Sequence, residues 1–199
     1  MKKAIILFAL LVSFSCFGQT ALEYFNSAVD KHYAKDYYGA IADYTKAIEL
    51  DPNNPVGYYY RGNSKDELKD HYGAISDFTK AIELNANDYS FYNSRGDSKN
   101  KLKDYNGAVS DFTKAIELNP NRAIVYLNRG LSKYYIKDYY GAISDFTKAI
   151  ELDPNYAAAF NIRGAAKYFI NDLNGACEDA KKSRSLGFDG SKLIQAACN

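Results

Sequence analysis

The chain of 199 residues contains little of what metal sites and nucleophilic catalysis require. Its two histidines are His32 and His71, and of its three cysteines Cys177 and Cys198 lie far along the sequence from both. A zinc site or a Cys–His nucleophile needs such side chains to converge, so this distribution argues against both. No glycine-rich phosphate loop follows a strand either. We therefore expect no cofactor, no metal, no catalytic residues and no enzymatic activity.

The sequence also lacks any run of lysine or arginine. Its 25 basic and 24 acidic residues leave a formal net charge of +1. A protein that follows a phosphate backbone needs clustered positive charge, so nucleic acid is not expected as a partner. Tryptophan is absent, whereas tyrosine occurs 19 times. Tyrosine combines a large contact area with a polar tip, which suits a surface that is partly packed and partly wet.

A long apolar run occurs only at the N-terminus, where two lysines precede residues 4–17 and small or polar residues follow. This order is typical of a secretory signal peptide, and the run is shorter than the roughly 20 residues of a membrane span. We predict that residues 1–18 are a signal peptide and that the protein is exported across the inner membrane, to the periplasm or the medium. The alternatives are an uncleaved anchor and lipid attachment at Cys16, although Ser13 stands where a lipobox has leucine. Either alternative would bring membrane association.

What the chain has in abundance is internal repetition. The segment YYGAIADYTKAIELDP at 37–52 recurs as YYGAISDFTKAIELDP at 139–154, with two further copies between them. A fixed period of this length predicts one supersecondary unit stacked on copies of itself. The period of 34 residues defines five units, at 21–54, 55–88, 89–122, 123–156 and 157–190.

Each unit is predicted to form two helices. The first carries an aromatic at its fourth position and a small residue at its eighth, as at Tyr126 and Gly130. Because glycine within a helix costs roughly 1 kcal/mol against alanine, its recurrence suggests that a second backbone approaches closely there. The second helix has apolar residues at helical spacing, such as Ala142 and Phe146. The Lys–Asp pairs that precede it are placed in the turn between the helices.

This pattern of an aromatic, a glycine or alanine, a second aromatic and a closing proline resembles the tetratricopeptide repeat over about residues 21–190. The resemblance implies an all-α, right-handed α-solenoid of about five helix-turn-helix units. The unit at 157–190 is degenerate, and 191–199 is predicted to be a short capping helix. One departure is a lysine at the eleventh position of each unit, where the family prefers an aromatic.

The resemblance also implies a concave groove lined by the second, fifth, ninth, twelfth and thirteenth positions of each unit. Those positions lack a basic clamp for a C-terminal carboxylate, so capture of that kind is not expected. Asn63 and Asn93 are candidates to bind the backbone of an extended peptide, and Leu127 and Tyr135 to hold apolar side chains. Some aromatics at these positions, such as Tyr134, would instead pack between units. The candidate groove residues are Phe25, Val29, Tyr33, Tyr59, Asn63, Asn93, Asp97, Leu127, Leu131 and Tyr135.

Two functions fit this architecture. The first is a non-enzymatic scaffold that binds a peptide or helix of a partner protein in the groove. The second is a structural component of an envelope-associated assembly that uses its ends or its convex face. The sequence identifies no partner.

Charged residues recur with the same period. An aspartate occurs in every second helix, and an arginine in every first helix except the first, where Ser27 stands. This single absence suggests that each aspartate pairs with the arginine of the next unit and sets the stacking register, since buried ion pairs favour specificity over net stability. The alternative is that these charges are solvated without partners. The predicted pairs are Asp43–Arg61, Asp77–Arg95, Asp111–Arg129 and Asp145–Arg163.

Two cysteines fall near the C-terminus. If the chain turns near Phe188, antiparallel helices place Cys198 opposite a residue close to Cys177. In an exported chain, neighbouring cysteines predict a disulfide. The alternative is two separately buried thiols.

Overall fold

A computed structural model describes residues 20–189 and 191–198, with the backbone alone at 191 and 192. The predicted signal peptide, including Cys16, lies outside these ranges. All regular structure in the described ranges is α-helical. The chain divides into two compact halves, 1–98 and 99–199, with the division inside one helix. We call each of these two halves a unit from here on, and each 34-residue segment a repeat.

The helices follow one another in pairs with short turns between them. In the first unit they are α1 at 20–33, α2 (Tyr37–Leu50), α3 (Pro55–Glu67), α4 (His71–Leu84) and most of α5 (Tyr89–Lys101). The second unit begins at Lys99 and contains α6 (Tyr105–Leu118), α7 (Ala123–Tyr135), α8 (Tyr139–Leu152), α9 (Ala157–Phe169), α10 (Leu173–Ser185) and α11 (Ser191–Ala197). The last of these is the short C-terminal helix that the sequence predicts.

The turn within each pair has one geometry throughout. In the first pair Lys35 is left-handed, with φ of 63°, and Asp36 N–H donates to the Lys31 carbonyl at 2.9 Å. This bond from the second residue beyond the C-cap back across the last turn is the Schellman arrangement. Lysine rarely adopts a left-handed backbone, so each turn with a lysine here holds it in an unfavourable conformation. The left-handed residues are Lys35, Lys69, Lys103, Lys137 and Asn171.

The aspartate that follows each turn begins the second helix. Asp36 accepts a hydrogen bond from Gly39 N–H at 3.0 Å, which satisfies one of the free amides at the helix N-terminus. A Cβ at Gly39 would clash with that carboxylate, so the capping side chain occupies the space that any other residue would need. The same capping bond occurs at Asp70, Asp104, Asp138 and Asp172.

The eighth-position glycines explain how the two helices of a pair pack. A Cβ on Gly130 would lie 2.6 Å from the ring of Phe146, which is fully buried. The closest neighbour of a side chain at Gly130 would therefore be this aromatic ring. Backbone approach occurs in the last pair, where a Cβ on Gly164 would lie 3.1 Å from the Ala176 carbonyl oxygen.

Each unit buries an alanine-rich core. In the first unit Ala28, Ala40 and Tyr44 are fully buried and packed together, with Phe25 and Tyr60 against them. In the second unit the core cluster consists of Tyr126, Leu127, Ala142, Phe146, Ala149, Ala159 and Ala166. Across the described residues, none of the helices combines the length and the apolar content that crossing a bilayer requires.

Candidate functional site

The periodic arginines and aspartates pair within a repeat. Arg61 donates from Nε and Nη2 to both carboxylate oxygens of Asp77, at 2.9 and 2.7 Å. The predicted pair Asp43–Arg61 is therefore wrong, because Arg61 binds Asp77 instead. The predicted pair Asp77–Arg95 is wrong as well, since the arginine bound to Asp77 is Arg61. The predicted pairs Asp111–Arg129 and Asp145–Arg163 are wrong for the same reason, since the arginines bind the aspartates of their own repeats. Those bonds are Arg129 to Asp145 and Arg163 to Asp179.

The contact between successive repeats runs through a threonine. Arg61 Nη1 donates to Thr45 Oγ1 of the preceding repeat at 3.1 Å, while Thr45 donates to a carbonyl of its own helix. The first repeat has no arginine at this position. Ser27 occupies its place and donates to Asp43 at 2.6 Å. The same arginine–threonine bond links Arg95 to Thr79, Arg129 to Thr113 and Arg163 to Thr147.

The eleventh-position lysines complete this network. Lys65 Nζ lies 2.8 Å from Asp77 Oδ2, so that carboxylate contacts two cations while 4% exposed. Replacement of the family's aromatic by lysine thus provides a second partner for a buried charge. In the first repeat, burial acts to raise the pKa of Asp43, but hydrogen bonds from Lys31 and Ser27 outweigh it and hold the pKa below its usual value. The lysine–aspartate pairs are 31–43, 65–77, 99–111, 133–145 and 167–179.

Several twelfth-position residues of the expected groove are engaged in hydrogen bonds between repeats. His32 Nδ1 lies 2.9 Å from Ser64 Oγ, and Ser98 Oγ donates to Asp66 at 2.9 Å. In the second unit Ser132 Oγ donates to Asn100 Oδ1 at 2.8 Å. The serines are fully buried, so these bonds satisfy hydroxyls that would otherwise lose hydration. This structural role was missed, although the sequence carries a signal for it. A serine lies 32 residues after each of His32, Asp66 and Asn100, whereas Ala166 lies 32 residues after Tyr134.

The candidate groove residues of the first unit divide by exposure. Phe25 and Val29 are half-buried against the core, and Tyr59 contacts the rings of Phe78 and Phe91. Tyr33 is 79% exposed at the end of α1. Phe25, Val29 and Tyr59 therefore serve mainly to pack the core. Of these four candidates, Tyr33 is the one whose side chain is exposed to a partner.

A cavity of about 400 Å³ opens beside these residues and is called here the N-terminal cavity. It lies between the start of α1, the end of α2 and the start of α3. Its walls include Leu22, Phe25, Ile48 and Val56. Asp51 and Asn54 also line it.

The polar candidates lie farther along the first helices. Asn63, Asn93 and Asp97 are half-buried on α3 and α5. The Oδ1 atom of Asn93 is buried and lacks a hydrogen-bond partner among the described residues. Leaving a buried acceptor unpaired lowers stability by about 1–3 kcal/mol. Asn93 is therefore the polar candidate whose side chain can accept a hydrogen bond from a partner.

In the second unit the predicted anchors differ from one another. Leu127 is 6% exposed within the core cluster, so the expectation that it faces a partner is wrong. Leu131 packs partly buried against the same cluster. Tyr135 is 57% exposed and stacks on Tyr105, with ring centroids 4.8 Å apart.

Tyr135 belongs to a larger group of rings that the sequence reading did not bring together. Phe169 is 55% exposed and stacks on Tyr139 at 5.0 Å, while Tyr134 contacts both of those rings. The burial of Tyr134, and then its neighbours Tyr139 and Tyr135, raises its pKa. The sequence signal for these stacked pairs is an aromatic residue at the thirteenth position of one repeat and another at the seventeenth position of the repeat before it. We call this group the aromatic surface: Tyr105, Tyr134, Tyr135, Tyr139, Tyr168 and Phe169.

At the C-terminal end, Cys177 on α10 and Cys198 after α11 form a disulfide, with their Cα atoms 5.1 Å apart. Gly187 has φ of 88° at the turn between the helices, a conformation that glycine adopts without strain. Ala197 is buried, and the Leu193 side chain packs so closely on Gly164 of α9 that a Cβ added there would lie 2.9 Å from it. The short helix thus covers the last helix pair, as a cap does.

Solved structures share this fold. The chain is 26% identical to YrrB, described as a tetratricopeptide repeat protein with an unusual peptide-binding site, with a TM-score of 0.77 over 89% of this chain and 91% of that one. MamA of Desulfovibrio magneticus RS-1 aligns at 22% identity and a TM-score of 0.80, over 84% and 94% of the two chains. PilF of Pseudomonas aeruginosa aligns at 18% identity and 0.78, over 90% and 82%. No curated protein matches the chain by sequence.

Family models agree with the helix pairs. Models of the tetratricopeptide repeat match residues 57–88, 89–122 and 123–156, and a further repeat model of this family matches 20–65. The matches together extend without a break from residue 20 to residue 156. The chain therefore belongs to the tetratricopeptide repeat family.

Proposed function

We propose that this protein is a non-enzymatic scaffold that binds a peptide or helix of a partner protein in the groove formed by its first helices. The observation that carries the proposal is the aromatic surface. Tyr135 and Phe169 are more than half exposed, yet each is held by stacking on a neighbouring ring. Rings already fixed in place lose little side-chain freedom on binding, and aromatic residues dominate the energy of protein interfaces.

The comparisons support the same direction. YrrB is described as having a peptide-binding site, and it is similar to this chain over most of both lengths. The buried charges and serines are paired within the fold, which leaves them to hold the repeats together. No group of histidine, cysteine and carboxylate side chains suited to a metal ion occurs within the described ranges.

A second candidate is an assembly component that uses the second helices. Tyr72 and Tyr140 occupy equivalent positions near the start of α4 and α8 and are 76% and 74% exposed. Large rings left this exposed are a feature of interaction surfaces. The two candidates therefore place the partner on different helices, the first helix of a repeat or the second.

One experiment separates them. Photo-crosslinking and affinity capture from the native cell envelope would compare the wild type with Y135S/F169S and with Y72S/Y140S. We expect Y135S/F169S to reduce recovery of the partner at least tenfold, because truncating an aromatic hot-spot residue costs about 2 kcal/mol or more. Loss confined to Y72S/Y140S would favour the assembly role, and unchanged recovery in both would contradict both.

The proposed setting is outside the cytoplasm. An exported protein meets an oxidising compartment, where a disulfide such as Cys177–Cys198 persists. Protein recovered from cells should lack residues 1–18 and be lighter than the reduced chain by the hydrogens lost on forming the bridge. Intact-mass measurement with and without reductant tests both points, and a full-length chain or one lipid-modified at Cys16 would contradict cleavage after residue 18.

A further inference from the structure

The N-terminal cavity has a counterpart inside the same protein. Three repeats later, its lining residues Phe25, Ile48 and Val56 correspond to Leu127, Ile150 and Ala158. The residue that corresponds to Asn54 of the cavity wall is Tyr156.

Tyr156 packs into the counterpart position. Its half-buried ring lies against the core cluster that contains Leu127 and Ala149, with Ile150 alongside. Burial, and then the charge of Asp153, raises the pKa of its phenol. A tyrosine beside a carboxylate is thus the occupant that this arrangement of helices accepts when the protein supplies one itself.

The first repeat supplies none. Asn54 caps α3 by accepting from Val56 N–H at 3.0 Å, and its short side chain leaves the cavity open. Leu22 is 57% exposed and Val56 39% exposed at the rim. Asp51 lines this cavity as the equivalent of Asp153, so a carboxylate is in place for a hydroxyl donor.

We propose that the N-terminal cavity receives a tyrosine side chain of the partner segment, an inference that rests on the proposed scaffold function. The apolar walls would hold the ring, while the carboxylate of Asp51 would accept a hydrogen bond from the phenol. A charge-assisted hydrogen bond of this kind is stronger than a neutral one, which favours tyrosine over phenylalanine. The cavity would thereby determine which residue the partner presents next to α1.

The test needs no knowledge of the partner. The full chain, with methyl groups labelled for NMR, would be titrated with p-cresol, the tyrosine side-chain analogue, and with toluene as the matched probe. We expect p-cresol to shift the methyl signals of Leu22, Ile48 and Val56 saturably, and to bind at least threefold more tightly than toluene. In D51N this preference should disappear.

Two reciprocal variants make the result specific. N54Y should fill the cavity and weaken p-cresol binding at least tenfold, whereas N54S, which can still cap α3, should bind as the wild type. Y156N should open a second site and add saturable shifts at Ile124 and Ile150. Circular dichroism would confirm that N54Y stays folded, as the natural tyrosine at 156 leads us to expect.

Several outcomes would overturn the proposal. Absence of saturation, or equal binding by N54Y, would show that the cavity does not accept the ring. Contacts from Phe17 to Val56 in the free chain would show that the leader occupies the cavity, and concentration-dependent shifts without probe would show that a second copy does. If p-cresol binds but N54Y captures the partner as well as wild type does, no partner tyrosine uses the cavity. Because the probe titration does not involve a partner, its result is independent of the crosslinking test at Tyr135 and Phe169.

Discussion

The guanidinium of Arg129 binds both carboxylate oxygens of Asp145, at 2.9 and 2.6 Å, on the second helix of its own repeat. The remaining terminal nitrogen reaches Thr113 in the repeat before, at 3.2 Å. A planar guanidinium can make this fork and a third bond at once, whereas a lysine ammonium cannot match the fork. One side chain therefore joins the two helices of a repeat and also the repeat to its predecessor.

Removing one partner of this pair should be costly. Asp145 is 3% exposed, so in D145A the two cations, Arg129 and Lys133, lose a buried counter-charge. We expect the free energy of unfolding to fall by about 3–5 kcal/mol, measured by urea denaturation. T113A, which removes the bond from Arg129 together with the hydroxyl's own bond to the Val109 carbonyl, should cost about 1 kcal/mol. Equal effects of the two substitutions would contradict the division of roles described here.

The hydroxyl of Tyr44 should lower the free energy of unfolding. Tyr44 is fully buried and its hydroxyl lacks a hydrogen-bond partner among the described residues, and burial, with smaller effects of Tyr60 and Tyr33, raises its pKa. Phe78 stands at the same position of the next repeat. Y44F should raise the free energy of unfolding by about 1–3 kcal/mol, because it removes an unsatisfied polar group without changing the packing. The reverse change F78Y serves as the control and should lower stability, and a stabilising F78Y would refute the argument.

Alanine should be unfavourable at Gly130 despite its better helix propensity. Helix propensity alone predicts a gain of about 1 kcal/mol for G130A. The new Cβ, however, would meet the Phe146 ring at 2.6 Å, and overpacking of this kind costs about 1–3 kcal/mol. We expect a net loss of stability by thermal unfolding. The substitution should become less harmful in the background F146L, which frees space beside residue 130; identical effects in both backgrounds would show that the ring is not the cause.

The Asp43 carboxylate in the first repeat should make a pH-dependent contribution to the free energy of unfolding. Because the pKa of Asp43 is lower in the folded state than its ordinary value of 3.8, its ionised form stabilises the fold above that pH. The contribution is lost as the pH falls from 3.8 through the lower folded value. Urea denaturation of wild type and D43N should therefore differ most near pH 6 and progressively less toward pH 3. A difference that grows on acidification would have the wrong sign for this explanation.

The groove residues show why a position within a repeat does not determine exposure. Leu127 and Tyr59 occupy the same register, yet Leu127 is buried in a core cluster while Tyr59 is half-buried among other rings. Tyr135 and Phe169 are available because each lies at the end of a first helix, where the chain turns away. Residue size and the neighbouring side chains set these differences, and neither is contained in the period.

The sequence by itself determined the helix pairs, the turns and the family, because a 34-residue period records the contacts that each repeat makes with copies of itself. It also identified the recurring aspartates and arginines as structural. Only the tertiary structure decided that Arg61 pairs with Asp77 and reaches back to Thr45, because a strictly periodic sequence repeats both candidate partners at equal intervals and so cannot distinguish them. The empty space beside Asn54 was likewise decided by packing, since the volume left between helices depends on which side chains fill it.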